Sequence, residues 1–89
     1  MENRISKDLK EMFTTAIKNS DTIEATVKLA DGTHGDITYD PEYMEVTIEL
    51  FGTSKTDVSI TLCDTKEEFE SEFSKIVWPE VPVTVVENW

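Results

Sequence analysis

Between residues 22 and 62 apolar and polar residues alternate through successive blocks, each closed by a turn signal. A period of two belongs to a strand with one buried face, and a one-residue slip would turn every side chain over. The first block sets Ile23, Ala25, Val27 and Leu29 against Thr22, Glu24, Thr26 and Lys28. Asp31-Gly32 follows, the commonest short hairpin signal. A two-residue turn there would pair Val27 with Asp36, apolar against polar. A three-residue loop, Ala30-Asp31-Gly32 with Gly32 left-handed in a bulge, instead pairs Ala25 with Ile37 and Ile23 with Tyr39. Phase therefore selects the bulged loop. Asp40-Pro41-Glu42-Tyr43 reads as the next turn; closing it from Tyr39 to Met44 pairs Ile37 with Val46. The third strand carries Met44, Val46, Ile48 and Leu50 inward and Glu45, Thr47, Glu49 and Phe51 outward. After Gly52-Thr53-Ser54, the fourth turns Val58, Ile60 and Leu62 inward and Asp57, Ser59 and Thr61 outward. These blocks predict a four-stranded antiparallel meander with one dry face.

Helical spacing flanks the meander. Ile5, Leu9, Met12, Phe13, Ala16 and Ile17 form one apolar stripe, with Asn3 or Ser6 as the expected N-cap and Asn19 as the end. Asp64-Thr65-Lys66-Glu67-Glu68 contains two overlapping capping boxes and opens a second helix with a stripe of Phe69, Phe73, Ile76 and Val77. Trp78-Pro79 stops it, with Trp78 closing the core below. Val83-Thr84-Val85-Val86 reads as a short edge strand or docked extended segment. The expected order is α-β-β-β-β-α, with the C-terminal segment either a further edge strand or docked alongside: a single-domain, two-layer α+β sandwich with both helices on the dry face.

Charge is the strongest functional signal. The 89 residues carry 19 acids and 8 bases, a net charge of −11, beyond the magnitude of about 2–8 that solubility asks of a small domain. The two signs balance over residues 1–28, so the whole excess lies in 29–89, where Lys55, Lys66 and Lys75 are the only bases. Residues 31–49 hold Asp31, Asp36, Asp40, Glu42, Glu45 and Glu49 with no base at all. Such a balance argues against direct nucleic-acid binding and against docking on anionic lipid. No apolar run is long enough for a membrane span, and Met1–Lys10 lacks the apolar core of a signal peptide. A single cysteine, Cys63, makes no internal disulfide and fits a reducing cytoplasm.

The residues for chemistry are sparse. In the expected register Cys63 and His34 lie about six residues apart along the strands, roughly 20 Å, too far for a nucleophile and its base. One Cys and one His do not close a zinc site. Asp31-Gly32-Thr33-His34-Gly35-Asp36 is oxygen-rich but lacks calcium-loop spacing, so it reads as a turn and bulge. No glycine-rich phosphate cradle is present. The expectation is a non-enzyme with neither metal nor cofactor. An open antiparallel face must be polar, yet polarity alone does not make nearly every charge negative. Carboxylates two positions apart on one strand would lie about 6.8 Å from each other, close to the spacing of phosphates along a nucleic-acid strand. Asp36, Asp40, Glu42, Glu45, Glu49 and Asp57 form the expected partner-binding face. Glu70 and Glu72 join them because helix capping does not account for them, and Trp89 serves as an aromatic contact.

In size, acidity and α+β order the chain resembles small phage or mobile-element inhibitors, including anti-CRISPR proteins and other DNA mimics. Bacterial immunity proteins that cap basic toxins share that profile. The resemblance spans the whole chain, rests on profile and not on a motif, and carries no family residue over. It implies a monomer or weak dimer, in the host cytoplasm if phage-encoded. The partner would be a basic, nucleic-acid-binding protein such as a nuclease or effector complex. The alternative is a small acidic interaction or assembly module.

Overall fold

A computed structural model of the protein describes residues 8–89. Two helices and five strands follow in the order α1 (Leu9–Asn19), β1 (Ile23–Leu29), β2 (His34–Asp40), β3 (Glu45–Phe51), β4 (Thr56–Ile60), α2 (Lys66–Ser74) and β5 (Val83–Asn88). All pairings are antiparallel, in the spatial order β4-β3-β2-β1-β5. The architecture is α+β as expected, with a fifth strand: the C-terminal segment adds to the free side of β1.

The inward residues of the strands and one stripe of each helix make a single core. Leu9, Phe13 and Ala16 of α1 and Phe69 of α2 bury against Ala25, Val27, Leu29, Ile37, Tyr39, Val46, Ile48, Leu50, Ile60 and Val83. A run of neighbouring aromatic rings ties the layers: Tyr39 to Phe69 (6.2 Å), Phe69 to Phe73 (5.9 Å), Phe73 to Trp78 (5.4 Å) and Trp78 to Phe13 (5.6 Å). Trp78, between the two helices, closes the core where the sequence placed it.

The first hairpin has the predicted bulged loop. Gly32 sits at φ +93°, Leu29 N–H donates to the Thr33 carbonyl at 2.7 Å, and Ala25 faces Ile37. Gly35 is required further along: a Cβ there would lie 1.9 Å from the Glu49 carbonyl oxygen. The second hairpin differs from its prediction by two residues. Tyr39 faces Val46 and Ile37 faces Ile48, because Met44 takes a left-handed φ of +55° and leaves the ladder. The loop is therefore Pro41–Met44, braced by the Asp40 carboxylate accepting from Glu42 N–H at 2.9 Å. A slip of two preserves the faces.

Four terminal details also depart from expectation. The α1 N-cap is Asp8, which accepts from Glu11 N–H at 2.9 Å, while Asn3, Ile5 and Ser6 lie outside the described residues. The helix runs through Asn19, and left-handed Ser20 ends it, with Asp21 N–H returning to the Ala16 carbonyl at 2.9 Å. Leu62 is 85% exposed with φ +60°, because β4 ends at Ile60 and the chain must turn out of the sheet to reach the α2 cap. Helix α2 stops at Ser74, so Ile76 lies beyond the helix and Val77, 86% exposed, is not on a buried stripe.

Candidate functional site

Both helices cover one side of the sheet, and among the described residues no helix covers the other. Its composition follows the strand register. Thr26 of β1 faces Asp36 of β2, Asp36 faces Glu49 of β3, and Glu49 faces Asp57 of β4. On the other side Thr26 faces Glu87 of β5. One row crossing all five strands thus carries four carboxylates and one threonine. Neighbouring strands stand about 4.8 Å apart, so Asp36, Glu49 and Asp57 are stacked at close range. Like charges directly opposite one another destabilise a sheet, and among the described residues none of the four is ion-paired with a cation.

The next row along the strands is Glu24, Thr38, Thr47 and Ser59, mostly hydroxyl-bearing. Beyond it Asp40 faces Glu45. The open face is therefore banded: acids, hydroxyls, acids. The 6.8 Å spacing expected along a strand is not realised, because Thr38 separates Asp36 from Asp40 and Thr47 separates Glu45 from Glu49. Close spacing runs across the strands instead. The two-residue shift in the β2–β3 register is what sets Asp36 directly opposite Glu49 and moves His34 opposite Phe51.

Trp89 folds along this face. Its backbone N–H donates to the Glu24 carbonyl at 3.0 Å, and its indole Nε1–H donates to Thr26 Oγ1 at 3.1 Å. The Thr26 hydroxyl donates in turn to Asp36 Oδ1 at 2.9 Å. Trp89 is nevertheless 60% exposed, an oriented aromatic residue beside the acid row.

The nine residues singled out from sequence therefore fall into three groups. Asp36, Asp40, Glu45, Glu49 and Asp57 share the open face, with Trp89 beside them. Glu42 lies in the β2–β3 loop. Glu70 and Glu72 belong to α2 in the helical layer, where Glu72 meets Lys75 at 3.3 Å. Glu87 was missed. It reaches the row through a register shift that skips Val86, and the adjacent valines Val85-Val86, breaking the alternation, were the available signal.

A polar cluster around Asp31 braces the loops at one end of the sheet. The Asp31 carboxylate accepts from Thr33 N–H at 2.9 Å and from the Ser54 hydroxyl, and buried Thr33 Oγ1 accepts from Ser54 N–H at 2.8 Å. This cluster pins the β1–β2 loop to the β3–β4 loop and holds the Asp31 carboxyl below its ordinary range, chiefly through Ser54. Cys63 follows β4 at the end of the sheet away from His34. Desolvation, then Glu68, Glu72 and Asp64, push its thiol up, away from the reactive thiolate. Among the described residues no three acids, cysteines or histidines converge to hold a metal ion, and no helix is long and apolar enough to cross a membrane. Comparison with protein-family models, curated proteins and solved structures finds no significant match.

Proposed function

We propose that the protein is a non-enzymatic inhibitor whose banded acidic face occupies a basic, nucleic-acid-binding surface of a partner protein, such as a nuclease or an effector complex. The observation that carries this reading is the row Asp36–Glu49–Asp57, extended to Glu87 through Thr26. A face that needed only polarity would interleave signs or use threonine throughout. Three adjacent strands place like charges opposite one another instead, a cost to the fold that a cationic partner would reverse. Carboxylates would steer the encounter and set its salt dependence. The Trp89 ring, held by hydrogen bonds and exposed, would lengthen residence. In a phage-encoded setting the site of action would be the host cytoplasm.

The test begins with displacement of labelled nucleic acid from purified nucleases and CRISPR effector complexes, followed by fluorescence anisotropy. On a responding target, two charge reversals of equal size are compared. Glu49→Lys with Asp57→Lys alters the open face, and Glu70→Lys with Glu72→Lys alters the helical layer. The sheet pair should lose displacement, with a slower on-rate and a flatter salt dependence, while the helix pair retains it. Loss in the helix pair alone would move the functional surface to the other side of the molecule. Equal loss in both would leave only bulk charge.

A further inference from the structure

The two edges of the sheet are not alike. On the β5 edge, Pro82 precedes the strand and the register is broken by a bulge between Thr26 and Val27 of β1, features that blunt an edge against further pairing. The β4 edge has neither: Thr56–Ile60 pairs in unbroken register with β3. Among the described residues no backbone hydrogen bond reaches β4 from its free side. Its outward N–H and C=O groups form a template for one more strand.

A groove of about 410 Å³ runs along this edge. Lys55 and Val58 line one wall, and Glu72, Lys75, Ile76 and Val77 line the other. It continues past Lys55 and Val77 to Trp78 and Pro79. Val77 is almost fully exposed, an aliphatic side chain with no role in the core. The groove is balanced in charge, Lys55 and Lys75 against Asp57 and Glu72, in a chain whose net charge is −11. Of the three bases in residues 29–89, two, Lys55 and Lys75, border it. Lys75 is paired with Glu72, whereas Lys55 meets no carboxylate at ion-pair distance among the described residues. No acid lines the groove's extension beyond Lys55.

We propose that this edge is a second docking site, taking an extended peptide of a partner protein as an antiparallel sixth strand with its C-terminal carboxylate at Lys55. Direction follows from the chain. Because β4 runs from Thr56 to Ile60, an antiparallel strand ends beside Thr56 and Lys55. Alternate side chains of the added strand face the helical layer, where Val58, Ile76 and Val77 accept β-branched or aliphatic groups. The site adjoins the acidic face, with which it shares Asp57, but its recognition is main-chain pairing, an apolar wall and one cation.

The probe is an array of hexapeptides with valine at alternate positions and the others randomised, each made with a free and an amidated C-terminus. The full chain is applied alongside Lys55→Ala and Val77→Asp, both exposed and checked by circular dichroism and urea midpoint. Free-acid peptides should be selected. Amidation or Lys55→Ala should each weaken binding about tenfold, and Val77→Asp should abolish it. Failure to select any peptide above the Val77→Asp background, or equal binding of acid and amide, would overturn the proposal. So would a dimer in sedimentation equilibrium that Val77→Asp dissociates, since the occupant would then be a second copy. Lys55→Ala leaves the acid row whole, so loss of peptide binding with retained displacement of nucleic acid separates this site from the open face.

Discussion

Among single residues, Ser54 does more than its place in a loop suggests. Its hydroxyl donates to Asp31 and its N–H to Thr33, so one serine links two hairpin loops of the sheet. The bond lowers the Asp31 carboxyl, which fixes the sign of a pH effect. A group whose folded pKa is depressed adds stability above its unfolded pKa, about 3.9, and loses it as pH falls through the folded value. Ser54→Ala should therefore lower the urea midpoint at pH 7, with the difference from the parent shrinking well below pH 4. Equal differences at pH 7 and pH 3 would show that the hydroxyl acts without regard to the Asp31 charge. This cluster was only half legible in the sequence. Asp31-Gly32 announced the turn, but nothing local to residue 31 points to residue 54, because the contact exists only once β2 and β3 have paired.

At the scale of elements, the β1–β2 register was readable because the loop chemistry and the apolar phase agree on one solution. For β2–β3 the phase was right and the loop length wrong. Apolar patterning has period two, so it distinguishes odd slips from even ones and is blind to a slip of two. The arbiter was Met44, and a left-handed methionine leaves no mark in the sequence. That slip created the Asp36–Glu49 contact, so the closest part of the candidate site was the part least legible. The contact has an energetic consequence. Glu49 stands between Asp36 and Asp57 in the ladder. Replacing it by threonine, a good strand former, should stabilise the fold by about 0.2–1 kcal/mol. Urea denaturation at low salt checks this, and a destabilised Glu49→Thr would mean that the row is neutralised within the molecule.

For the molecule as a whole, a charge of −11 on 89 residues makes self-repulsion a global term. Screening should relieve it: the Debye length falls from about 10 Å at 0.1 M salt to about 3 Å at 1 M. Thermal midpoints measured across a sodium chloride series should rise, and the Glu49→Thr advantage should narrow over the same range. A flat series in the parent protein would point to local compensation.

The strand order places β1 between β2, its immediate successor, and β5, which is made last. Roughly sixty residues separate the end of β1 from the end of β5. At a synthesis rate of about 5–20 residues per second, the ribosome spends about 3–12 s between them. Until β5 adds, β1 is itself an open edge of the nascent sheet, and Val27 and Leu29 lie on the strand that β5 will later cover. A chain growing on a neighbouring ribosome presents the same unpaired strand. Crowded translation is therefore the moment at which this fold is most exposed to pairing with its own kind.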